Sequence, residues 1–151
     1  MRGWGMPAFL LRLAGAVSGG LLLASCYSPL EWHAVAWFAL IPLILVARYS
    51  TPGRAFRWGM VCGLVFWIPA LGWLRILADK GVPAPAAYAG WMFLAVYCAL
   101  YVAVFAMLVS SWFAAMGTDK WPRNLAITLV SPLLWVGLEY ARSRFATGFP
   151  W

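Results

Sequence analysis

Five stretches free of Asp, Glu, Lys and Arg dominate this chain: residues 13–30, 32–47, 58–74, 81–118 and 124–138. A helix needs about 20 mostly apolar residues to cross the hydrocarbon layer, within a range of about 17–25. The first and third stretches fit that length. The fourth is longer, but its Gly81-Val82-Pro83-Ala84-Pro85 start reads as a loop, which leaves a helix from about Ala86 to Ala115. The second and fifth are short and span if Glu31, Arg48, Arg123 and Glu139 lie at interface depth or snorkel outward. The expectation is an all-α, polytopic membrane helix bundle: one domain over 1–151, with about five transmembrane helices over 6–26, 32–47, 58–77, 86–115 and 124–141.

Composition supports lipid as the solvent. Hydrophobic residues make up 65% of the chain and charged residues 10%, well under the roughly one quarter that keeps a soluble surface wet. The net charge of +7 raises nucleic acid as a partner, but no basic run is interleaved with exposed polar chain, which argues against it. With the N-terminus inside, Arg2, Arg12, Arg48, Arg54, Arg57, Lys120 and Arg123 are cytoplasmic, and Arg75, Lys80, Arg142 and Arg144 lie outside. This positive-inside bias predicts a cytoplasmic N-terminus and a periplasmic C-terminus.

Leu23-Ala24-Ser25-Cys26 also fits a lipoprotein cleavage pattern. A first membrane helix is the better reading, because the chain re-enters an apolar segment within a few residues and Arg12 interrupts the would-be signal core. Gly15 with Gly19, and Gly59 with Gly63, are small-xxx-small pairs that let helices approach closely; Ala95, Ala99 and Ala103 form another small stripe, beside Tyr97, Tyr101 and Phe105.

Chemistry-bearing groups are sparse. Cys26, Cys62 and Cys98 form no CxxC pair, and one histidine builds no zinc site. A Cys26–His33 nucleophile has only Glu31 nearby to orient it. No phosphate loop or serine-hydrolase elbow is present, so no catalytic residue, metal or cofactor is assigned. Glu139 stands out as an acid at membrane depth, which is either a functional group or an i,i+3 partner that neutralises Arg142. Arg142 and Arg144 sit where each can hold a phospholipid headgroup or simply anchor the interface. After them Thr147-Gly148-Phe149-Pro150-Trp151 reads as a rigid turn with an aromatic anchor, of a kind that leads further.

Ser131-Pro132-Leu133-Leu134-Trp135, Glu139-Tyr140-Ala141-Arg142 and Thr147-Gly148-Phe149-Pro150-Trp151 together resemble the membrane part of the bacterial apolipoprotein N-acyltransferase family. Tyr27-Ser28-Pro29, Gly72-Trp73, Gly81-Val82-Pro83-Ala84-Pro85 and Ala95-Val96-Tyr97-Cys98-Ala99-Leu100-Tyr101 fit in the same order, so that the resemblance covers nearly the whole chain. It implies an inner-membrane, multi-pass protein of lipoprotein biosynthesis. In the family, an acyl chain passes from a phospholipid to a catalytic cysteine, and then to the α-amino group of a diacylglyceryl-cysteine on an apolipoprotein.

The resemblance places that chemistry on a Glu–Lys–Cys set in a C-terminal nitrilase-like domain that this sequence does not contain. None of its three cysteines, nor Lys80 or Lys120, matches the family's catalytic set. The expectation is therefore an N-terminal piece, its outer loop 142–151 cut short, without acyltransferase activity on its own. Its partners would be phospholipid, diacylated apolipoprotein and the missing domain. Glu139, Arg142, Gly148, Phe149, Pro150 and Trp151 are the candidate lipid-binding residues. A non-enzymatic scaffold or lipid-binding module is the alternative.

Overall fold

The computed structural model describes residues 6–27, 30–116 and 121–145. They are mostly helical, with no strand among them. The chain runs up and down through α1 (Met6–Ser25), the paired short helices α2 (Ala36–Ala39) and α3 (Ile41–Arg48), α4 (Pro52–Ala70), α5 (Ala84–Met116) and α6 (Trp121–Arg144). A 3-10 turn over His33–Val35 leads into α2, and a 3-10 segment over Gly72–Lys80 joins α4 to α5.

Prolines set the interruptions. Proline lacks an N–H and its ring crowds the carbonyl four residues back. Pro42 therefore conflicts with a ladder continuing from Phe38, and the second leg breaks between α2 and α3 at Leu40. Pro69 crowds the Val65 carbonyl in the same way; α4 ends at Ala70, and Gly72–Lys80 leaves at 43° to it. Gly81 closes that segment at φ +95°, a left-handed conformation that costs glycine little. At the start of α4, Pro52 occupies the first turn, where its missing N–H has no helical partner to lose.

Small residues bring the legs together. A Cβ on Gly63 would stand 2.7 Å from the Ala99 Cα, and one on Gly59 would stand 2.7 Å from the Ala103 Cα, so α4 and α5 nearly touch. A Cβ on Gly20 of α1 would meet the Cys62 carbonyl of α4 at 2.6 Å, and one on Gly15 would meet Val46 Cγ2 of α3 at 2.7 Å. The sequence stripes are thus helix-packing faces. Leu43, Cys62, Phe66, Phe105 and Val102 fill the core between them.

One end of the bundle gathers the start of α1 and the ends of α3 and α5. There Arg12 donates to the Tyr49 carbonyl at 2.7 Å, a cation on the negative terminus of α3. Ser110 donates to the Ser50 carbonyl at 2.6 Å, and Arg48 lies over the Phe113 ring at 5.5 Å. The opposite end gathers the ends of α1, α4 and α6 with the start of α5. There Tyr27 packs on Phe66 and Trp67, and Trp91 donates to the Ile68 carbonyl at 3.1 Å.

The outer surface is apolar. Trp37 is 86% exposed, and Leu11, Phe93 and Leu133 are each more than 70% exposed. Such a surface suits hydrocarbon rather than water. Met6–Ser25 and Ala84–Ala115 are each long and apolar enough to cross a membrane, and α4 with Gly72–Lys80 makes a third if the bent pair counts as one span. His33–Arg48 is shorter.

Candidate functional site

Of the six candidate residues, the structure describes two. Glu139 and Arg142 occupy the last turns of α6; Gly148, Phe149, Pro150 and Trp151 lie outside the described residues. Arg142 is 1% exposed, a rare state for a guanidinium. Its Nη2 donates to Glu139 Oε2, in the i,i+3 pair that the spacing allows, and its guanidinium carbon stands 4.5 Å from the centre of the Trp67 ring. Cys98 of α5 adjoins the same guanidinium.

Sequence reasoning missed Trp67. It lies on α4, and a ring that reaches α6 across the bundle leaves no periodic signal in one sequence. Tyr27 closes the cluster from the loop after α1, with its ring 6.3 Å from that of Trp67. Burial raises the Tyr27 phenol above its ordinary value; the Glu139 carboxylate pushes the same way and Arg142 opposes.

Nε and Nη1 of Arg142 are buried and have no hydrogen-bond partner among the described residues. Leaving a buried charged donor unsatisfied is costly, so these two atoms call for a partner beyond the described side chains.

Glu139 also lines a cleft of about 980 Å³ that opens between the α2–α3 leg and α6. Its walls are mainly apolar, including Leu23, Ile44, Phe66, Trp135 and Val136, and Arg48 stands on its lining near the other end of the bundle. The size is that of a drug-sized or lipid-chain pocket.

The other sequence candidates stay apart. Cys26 donates its thiol to the Leu22 carbonyl at 3.3 Å, and no hydrogen bond joins it to the exposed His33. Cys62 and Cys98 are free, buried thiols within the helix contacts. No group of three metal-ligating side chains occurs among the described residues.

An apolar-surfaced helical bundle with crossing-length helices and a buried ion pair at one end defines a helical membrane protein. The family model of the apolipoprotein N-acyltransferase N-terminal domain matches residues 19–151, and the chain belongs to that family. An apolipoprotein N-acyltransferase of Geobacter metallireducens is 37% identical over 138 residues, which is 90% of this chain and 25% of that protein. One of Gloeobacter violaceus is 31% identical over 90% of this chain and 26% of its own length. One of Azotobacter vinelandii is 29% identical over 97% of this chain and 27% of its own length. The chain spans about a quarter of the length of these relatives.

Proposed function

We propose that this chain forms the N-terminal, lipid-handling membrane part of an apolipoprotein N-acyltransferase in the bacterial inner membrane. It has five spans over 6–26, 32–47, 58–77, 86–115 and 124–141, with the N-terminus cytoplasmic and the Arg142 end periplasmic. The acyl donor is a membrane phospholipid, and the acceptor is the α-amino group of a diacylated apolipoprotein. Glu139, Arg142, Gly148, Phe149, Pro150 and Trp151 face the lipid substrate. The acyl transfer itself belongs to a nitrilase-like domain outside this chain, so residues 1–151 alone are inactive.

The observation that carries this reading is Arg142. A guanidinium held on Trp67, with two donors to spare and its Glu139 partner lining an apolar cleft, suits a phosphate above acyl chains. The test joins residues 1–151 to the remainder of a full-length relative and measures acyl transfer to a diacylated lipopeptide. Arg142→Gln and Trp151→Ala are each expected to lower transfer at least tenfold, and unchanged transfer in both rejects the lipid site. N-acylation by the purified 151-residue chain would overturn its assignment as inactive.

A further inference from the structure

The 3-10 segment over Gly72–Lys80 is long for its kind. It keeps that geometry for 9 residues, although poorer hydrogen bonds usually confine such runs to about three or four. Its sequence favours the wider helix. Trp73, Ile76 and Leu77 stand at the i, i+3 and i+4 spacing of one α-helical face, and all three are exposed. A contact from outside the segment must therefore hold it stretched.

Two side chains occupy the carbonyls that an α-helical continuation of α4 would use. In such a continuation the Ile68 carbonyl accepts from the Gly72 N–H, and the Gly72 carbonyl accepts from the Ile76 N–H. Here the Trp91 indole donates to the Ile68 carbonyl at 3.1 Å, and Arg75 Nε donates to the Gly72 carbonyl at 2.9 Å. The Arg75 guanidinium lies 5.2 Å from the centre of the Trp91 ring, which ties the two contacts together. Trp91 belongs to α5, so the segment is fastened to the neighbouring helix. Pro69 near the end of α4 and Gly81 at φ +95° supply a hinge on either side.

We infer that Trp91 and Arg75 form a latch on a two-state segment, and that its release lets Gly72–Lys80 wind into an α-helix. The change dismantles a concavity of about 490 Å³. The wall of that concavity is two 3-10 rows, with Gly72, Arg75 and Ala78 in one and Trp73, Ile76 and Asp79 in the other; Tyr88 of α5 also lines it. At about 3.0 residues per turn those rows run straight. At about 3.6 the Asp79 end turns by about 140° relative to Gly72, and the segment shortens by about 4 Å. The latched form therefore presents a built concavity and the released form does not. The switch stands on packing and hydrogen bonding alone and does not depend on the acyl-transfer reading.

The test places nitroxide pairs on the segment in the detergent-solubilised 151-residue chain, in a Cys26→Ser background. Ile76→Cys is combined with Asp79→Cys to report residues three apart, and with Lys80→Cys to report residues four apart; all three side chains are exposed. In a 3-10 helix residues three apart eclipse, whereas in an α-helix residues four apart come together as well. With the latch intact, dipolar broadening of the spectrum is expected to be at least twofold stronger for the Ile76–Asp79 pair than for the Ile76–Lys80 pair. Arg75→Gln, which removes the cation, and Trp91→Phe, which removes the indole N–H, are each expected to raise the Ile76–Lys80 broadening to that of the other pair or above it. Arg75 is exposed, so Arg75→Gln spares the fold and decides alone should Trp91→Phe not fold. An order that the substitutions leave unmoved overturns the latch. Broadening already dominated by the Ile76–Lys80 pair with the latch intact overturns the stretched state, and the switch with it.

Discussion

Arg142 of α6 rests on the ring of Trp67 of α4, 4.5 Å from its centre, and pairs with Glu139 on its own helix. The stack and the pair show how a guanidinium is accommodated while 1% exposed. Its flat face is covered by an aromatic surface, one edge meets a carboxylate, and Nε and Nη1 have no hydrogen-bond partner among the described residues.

Breaking this pair from one side is expected to hurt more than removing it whole. Arg142→Met leaves the Glu139 carboxylate half-buried without its cation. The expected loss is about 2–3 kcal/mol, below the ~3–5 of a fully buried pair because Glu139 keeps 29% exposure. Glu139→Gln combined with Arg142→Met should recover at least half of that. Unfolding of the detergent-solubilised chain in a denaturant series measures both, and an additive double variant would contradict the coupling.

Gly63 offers a sharper packing test. An added Cβ stands 2.7 Å from the backbone of Ala99, which cannot swing aside as a side-chain tip can. Gly63→Val is expected to destabilise the chain by about 1–3 kcal/mol or to push α4 off α5. Gly53 has nothing within 4 Å of the same added atom, so Gly53→Ala should leave the midpoint where it was.

The Ser110 hydroxyl is the buried polar tie between α5 and the turn after α3, at 2.6 Å from the Ser50 carbonyl. Ser110→Ala should cost about 1 kcal/mol, the net worth of one such hydrogen bond plus the carbonyl it strands. The same denaturant series reads it, and no change would mean that water or another donor replaces the hydroxyl.

Orientation is tested by thiol labelling. In a Cys26→Ser background the two remaining native cysteines are buried and should stay silent. Val82→Cys, beside an exposed turn, should react with a membrane-impermeant reagent in intact spheroplasts. Gly53→Cys should react only after permeabilisation. Equal reactivity of the two positions would remove the alternating topology.

The packing faces were legible in the sequence because close approach needs small residues at helical spacing, and Gly59, Gly63, Ala99 and Ala103 announce it without help from the fold. The Glu139–Arg142 pair was legible for the same reason, being local to one helix. Trp67 was not, because its role is a contact between helices distant in the chain. Arg12 read as an interruption of an apolar run, and only the fold shows it seated on the end of α3. The stretch expected as one helix over 58–77 starts at Pro52 and stops at Ala70. The charges before Trp58 do not break a helix, whereas Pro69 and Gly72 favour its end.

The length of α5 has a consequence for how this molecule sits in lipid. Its 33 residues make a rod of about 50 Å, while the oil layer is about 30 Å deep. Leaning alone would have to reach about 53° to hide it, past the 0–40° that membrane helices adopt. A single straight crossing therefore leaves part of the rod clear of the oil, as a rigid end against which anything poised beside the bilayer can be braced.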